Sequence, residues 1–265
     1  MNRLHRELLR LYVPQAPGAV ETEPDDASLI DPEGRVRALV LALARPADWR
    51  ALARVWQGVQ ADLALPAPAI AVSGDDSCQL WFSLATPVPA AQALGFVEAL
   101  RRRYLADIPA HRVVLMPALV AGPPPRVRHA RLVPARQAGS GHWSAFVAQD
   151  LAPAFADEPW LDLPPNPEGQ ANLLARLTSL SMADLEQAQQ RLIAAEVPVQ
   201  PPPADRPAAS AAASAAAAGG LVSGGPTATD AGQQARRFLL DVMHNDAVAL
   251  GLRIDAAKAL LPGRG

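Results

Sequence analysis

The run RVRALVLALA, residues 35–44, has no polar side chain after Arg37. A strand with one wet face alternates apolar and polar residues. Here both parities are apolar, which is the pattern of a strand buried on both faces. The run therefore predicts a sheet with a substantial core around it.

The segments that follow fit such a sheet. Pro46 is expected to open a helix at a position where its missing N–H costs little, with Trp49, Leu52, Ala53, Trp56 and Val59 along one face. The PAP at 66–68 stops that helix, and AIAVSG (69–74) reads as a second strand. After a polar turn, QLWFSLATPV reads as a third strand. Pro89 begins another helix, with Ala93, Phe96, Val97 and Leu100 inward, and HRVVLMPAL (111–119) supplies a fourth strand. The order β-α-β-β-α-β over about 35–119 predicts an α+β chain with a ferredoxin-like antiparallel sheet backed by two helices.

Residues 3–12 have leucines at helical spacing. RVRHARLVPA (126–135) and HWSAFVAQ (142–149) read as an extra strand pair joined by RQAGSG. The reading divides the chain into an α+β core over 1–165, a helical segment over 166–197, a linker over 198–229 and C-terminal interaction helices over 230–265. The linker assignment rests on its Pro, Ala and Gly content, which offers too little apolar surface to offset chain entropy.

Composition excludes several classes. A single cysteine, Cys78, leaves no disulfide framework and no cysteine-based zinc site. A formal net charge of −2 excludes a uniformly basic coat. No long apolar run suggests a membrane span, so the expectation is a soluble, cytoplasmic protein with no membrane contact and no cofactor. Ser140, His142 and Asp150 are not set in any nucleophile-elbow pattern, and no Gly-Lys-Ser/Thr phosphate loop occurs.

The stretch SGDDSCQLWF, residues 73–82, resembles the second motif of the archaeo-eukaryotic primase superfamily, Ser-Gly-x-x-Gly-x-His before an apolar strand. Ser73 and Gly74 match, Ser77 replaces the glycine, and Gln79 stands where the histidine would be. Leu80, Trp81 and Phe82 match in character. HARLVPA (129–135) is similar to the superfamily's strand that contacts nucleotide phosphates, and the resemblance spans about 35–147.

The departures weigh as much as the matches. The superfamily's first strand carries paired carboxylates that hold divalent metals, and two-metal chemistry requires such hard oxygen ligands. Positions 38–44 are all Ala, Leu or Val. Gln79 cannot titrate near neutral pH as an imidazole does. The resemblance thus implies a non-catalytic relative that binds nucleic acid or nucleotide, in replication or mobile-element biology. Its expected contact residues are Ser73, Gln79, Arg126, Arg128, His129 and Arg131. No metal site and no catalytic residue is assigned.

Arginine placement supports an anionic ligand. Arg101, Arg102, Arg103, Arg112, Arg126, Arg128, Arg131 and Arg136 face only Asp107 as counterweight within 101–136, while 21–33 and 150–168 contain no basic residue. The expected ligand is single-stranded nucleic acid or a nucleotide. The competing explanation pairs these arginines with the acidic loops. Phe238, Leu239, Val242 and Leu260 lie on C-terminal stripes too short to bury themselves, so they are expected to dock on a protein partner or a second copy. If that docking dominates, the alternative function is a protein-interaction or assembly module with no nucleic-acid role.

Overall fold

The computed structural model describes residues 2–14, 28–122 and 126–196. The chain divides into two units, Met1–Pro201 and Pro202–Gly265. The linker and the C-terminal interaction helices expected from the sequence lie outside the described residues, as do Phe238, Leu239, Val242 and Leu260.

In chain order the elements are α1 (Arg3–Leu11), β1 (Arg35–Ala44), α2 (Trp49–Ala61), β2 (Ala69–Val72), β3 (Ser77–Pro89), α3 (Ala90–Tyr104), β4 (Val113–Met116), β5 (Ala118–Val120), β6 (Arg126–Arg128), β7 (Ala145–Val147), α4 (Pro167–Ala175) and α5 (Met182–Glu196). The chain is α+β, as expected. Five strands form one sheet in the order β4-β1-β3-β2-β7, and every neighbouring pair in it is antiparallel. Two strands, β5 and β6, form a separate ribbon.

From Ala38 to Ala44, β1 is buried at every position, so its apolar parities fill two cores. Leu39, Leu41 and Leu43 pack with Leu80 and Phe82 of β3 against Leu52, Val55 and Val59 of α2, Phe96, Val97 and Leu100 of α3, and Leu185 and Leu192 of α5. Ala38 and Val40 pack on the opposite face with Trp81, Phe146, Leu8 and Leu11 of α1 and Leu174 of α4. Each fully buried large side chain of this kind contributes roughly 1.5–3 kcal/mol.

The second core centres on three rings. Tyr12 meets Trp81 edge-on at 5.3 Å between centroids and stacks on Phe146 at 6.0 Å. Arg37 secures the helix that covers them, donating to the carbonyls of Leu9, Arg10 and Val13 at the C-terminal end of α1 and to Leu84 of β3. A cation there also complements the negative end of the helix dipole.

Three expectations are corrected. Helix α2 starts at Trp49, and Pro46 lies outside it. The Asp48 carboxylate accepts from Ala51 N at 2.9 Å, so the N-cap overrides the proline as the start signal. The expected fourth strand is two strands broken at Pro117, which has no N–H to continue a ladder. The expected pairing of 126–135 with 142–149 is not formed by β6 and β7. Arg126–Arg128 pairs with β5, whereas Ala145–Val147 adds to β2. The two stretches meet beyond those strands, where Ser144 N donates to Ala135 O at 2.9 Å, Ala135 N donates to Ser144 Oγ at 2.8 Å, and an isolated bridge joins Arg136 to Trp143.

The helical stretch after residue 166 appears as α4 and α5, both packed into these cores. Buried Gln170 of α4 accepts from Phe146 N at 2.8 Å and donates to Phe146 O at 2.9 Å, acting as a one-residue strand partner at the outer edge of β7. Among the described residues, no helix is long and apolar enough to cross a membrane.

The Tyr12 hydroxyl is fully buried and has no hydrogen-bond partner among the described residues. Burial also pushes its pKa up, so it stays neutral. An unpaired buried hydroxyl costs stability that a phenyl ring does not. Tyr12→Phe is expected to raise the unfolding free energy by about 1 kcal/mol in urea titration. A clear loss of stability would show that the hydroxyl is satisfied.

Candidate functional site

Ser73 and Gly74 sit in the turn between β2 and β3. The Ser73 hydroxyl accepts from Asp75 N at 3.1 Å and Ser77 N at 3.0 Å, closing the turn. Gly74 has φ +81°, and a Cβ there would lie 2.7 Å from Ser144 N. Its N–H donates to Pro159 O at 3.0 Å. The Ser-Gly pair therefore supplies turn closure, left-handed backbone and close approach of neighbouring chain.

Gln79 follows in β3, which runs between β1 and β2 and so is a central strand, not an edge. Its Oε1 accepts from Trp81 Nε1 at 2.8 Å, two residues along the same face. The amide therefore satisfies a buried indole. Its Nε2 has no partner among the described residues, and the side chain is half-buried. Opposite it stands Ala42 of β1.

His129 anchors the segment that follows the ribbon. Its Nε2 lies 2.9 Å from Ala38 O, and its Nδ1 accepts from Ala130 N at 2.8 Å. This arrangement requires the neutral tautomer with the proton on Nε2. From there the chain crosses the Trp81 face of the sheet, with Val133 buried and Ala130 and Leu132 packed beside it. It ends where Gln137 Nε2 donates to Ser73 O at 2.6 Å. Residues 129–137 thus form an arch pinned to β1 at one end and to the Ser73 turn at the other.

The arch links the expected residues without gathering them into one pocket. His129 meets β1 at Ala38 and Gln79 faces Ala42, four residues or about 13 Å along the strand. Arg131 lies on the arch and donates to Arg136 O at 3.0 Å. Arg136 in turn donates to Gly141 O at 3.2 Å.

Arg126 and Arg128 sit together on the ribbon. Both are exposed, and strand alternation puts them on one face of β6, opposite Val120 and Ala118. Val127 between them packs toward the α2–α3 core. Neither has an ion-pair partner among the described residues. By contrast Arg54 pairs with Asp107 at 2.9 Å, Arg103 with Asp62 at 3.5 Å, Arg45 with Asp76 at 3.4 Å and Arg112 with Asp48 at 3.9 Å. The acids that do pair with Arg103 and Arg112 come from the ends of α2, not from the acidic stretches at 21–33 and 150–168.

A shallow cavity of about 380 Å³ opens near the start of α2, lined by Asp48, Arg50, Ala51, Arg54, Asp107 and Ile108. Its two arginines are balanced by two aspartates, and it includes none of the residues expected from the sequence. No group of three or more His, Cys, Asp or Glu is placed to hold a metal ion among the described residues. Burial pushes the Cys78 thiol up to about 11, so it is protonated at neutral pH and a poor nucleophile. No family model matches this sequence, and no curated protein matches it.

Burial holds the His129 imidazole below the ordinary histidine range. The unfolded chain takes up a proton near pH 6.5, the folded chain only at lower pH. Stability linked to His129 is therefore complete above about pH 6.5 and is lost as pH falls toward the depressed folded value. The urea midpoint should decline between about pH 7 and 5, and His129→Gln should flatten that decline. An identical decline in the variant would show that His129 protonates freely in the fold.

Proposed function

We propose that this protein is a non-catalytic nucleic-acid-binding module on a ferredoxin-like core, a degenerate relative of the primase superfamily. The order β4-β1-β3-β2, with α2 and α3 as the crossover helices, supports the ferredoxin-like assignment. The ligand is single-stranded nucleic acid, and a cytoplasmic location goes with this reading.

The observation that carries the proposal is the pair Arg126 and Arg128, exposed side by side on a short ribbon with no acid against them among the described residues. Unpaired guanidinia are the groups that phosphates recruit, and strand alternation spaces them by about 7 Å. This spacing suits neighbouring phosphates of one strand. Arg131 on the arch extends the same run of positive charge.

The non-catalytic part rests on β1. Ala38, Val40, Ala42 and Ala44 occupy the positions on the Gln79 side and offer no oxygen ligand to a metal. A nucleic acid bound here is held, not extended.

Fluorescence anisotropy with a labelled oligodeoxythymidylate across a salt series tests the proposal. Each neutralised phosphate of a single strand contributes about 0.7 to the log–log salt slope. Arg126→Ala with Arg128→Ala should weaken binding and flatten the slope by roughly one to two. Gln79→Ala should leave the slope unchanged, because an uncharged amide displaces no ions. Absence of binding by the folded wild type at low salt would favour the protein-interaction reading instead.

A further inference from the structure

Near the arch, three segments form a small ladder. Gln137 N donates to His142 O at 2.8 Å, Trp143 N to Leu161 O at 2.8 Å, and Leu161 N to Trp143 O at 3.0 Å. Trp143 bridges both Arg136 and Leu161. Alternation then puts Trp143 and Leu161 on one face, and His142, Trp160 and Asp162 on the other. Leu161 packs against the α2–α3 core, and Pro159 O is bound by Gly74 N, so the ladder is fixed to the main sheet.

On its outer face the His142 ring lies flat on the Trp160 indole, with 4.8 Å between centroids and 5° between planes. The His142 side chain retains 32% of its exposure, and Trp160 is only half-buried. Trp160 Nε1 has no hydrogen-bond partner among the described residues. A partly exposed pair of parallel, stacked rings therefore stands on this ladder.

We propose that the His142–Trp160 stack is a nucleobase platform, which takes an unpaired base of a single strand onto its exposed aromatic surface. The proposal rests on the nucleic-acid reading above and adds the site that distinguishes bases from backbone. Stacking needs a free π-face, which a strand offers when its bases are unpaired. By the same alternation Arg136, paired with Trp143, lies on the ladder's other face, and the residues that flank Trp160 in sequence are the acids Asp157, Glu158 and Asp162, so the platform contacts the base and not the phosphates. Asp162 Oδ1 stands 3.7 Å from His142 Nε2.

An abasic oligomer separates the two parts of the account, since it has the same phosphates and nothing to stack. The full-length protein should bind labelled oligodeoxythymidylate on the order of tenfold more tightly than an abasic oligomer of equal length. Trp160→Ala should remove that preference and leave abasic affinity and the salt slope unchanged, while Trp160→Phe should retain most of it. His142→Ala, a smaller change to the mount, should reduce the preference in the same direction. Should Trp160→Ala fail to fold, the wild-type comparison and His142→Ala still decide the matter. Equal wild-type affinity for the two oligomers would overturn the platform and leave the phosphate contacts standing. Binding of neither would overturn both.

Discussion

A strand that cannot meet water on either side organises this molecule. From Ala38 to Ala44, β1 has no polar side chain, and both faces of the sheet around it must be roofed. The roof over Leu39, Leu41 and Leu43 is made by α2, α3 and α5. The roof over Ala38 and Val40 is made by α1, α4 and the arch at 129–137. The Tyr12–Trp81–Phe146 cluster follows from that second roof, and so does the use of Gln79 to satisfy the Trp81 indole. A sheet face closed in this way is a scaffold. The residues proposed to bind lie at its perimeter, on the β5–β6 ribbon, the arch and the loop ladder beyond it.

The same constraint explains how the sheet is finished. Outer strand β7 is three residues long, and its central residue is paired by the side chain of Gln170, which removes a template for further strands. On the other side Pro117 ends β4, and the chain leaves the sheet to form the ribbon that carries Arg126 and Arg128. Ending the strand there thus frees the segment on which the proposed contacts lie. The arch returns to the sheet through two polar anchors, His129 on Ala38 O and Gln137 on Ser73 O.

Much of this architecture was legible in local sequence. The double-parity run at 35–44 predicted burial on both faces, and the stripes of α2 and α3 predicted their inward faces, because those signals depend only on residue order. Pro117 and Asp48 were also readable and would have placed the strand break and the helix start. The partners of β6 and β7 were not, because three-residue strands carry no periodicity and their pairing is decided by distant chain. The role of Gln79 was open for the same reason: its partner is a neighbouring side chain whose burial depends on α1 and α4. The charge of Arg126 and Arg128 was visible in sequence, but the pairing of Arg103 and Arg112 with Asp62 and Asp48 required the fold.

The central claim is that the sheet is a closed scaffold and that binding occupies its rim. Amide hydrogen exchange of the full-length protein, with and without a saturating oligodeoxythymidylate at low salt, tests it most directly. The account predicts slowed exchange at 126–131 and 136–143, with the turn at Ser73–Ser77 and strand β1 unchanged. Slowing confined to β1 and the Gln79 stretch of β3, or to residues 198–265, would contradict it.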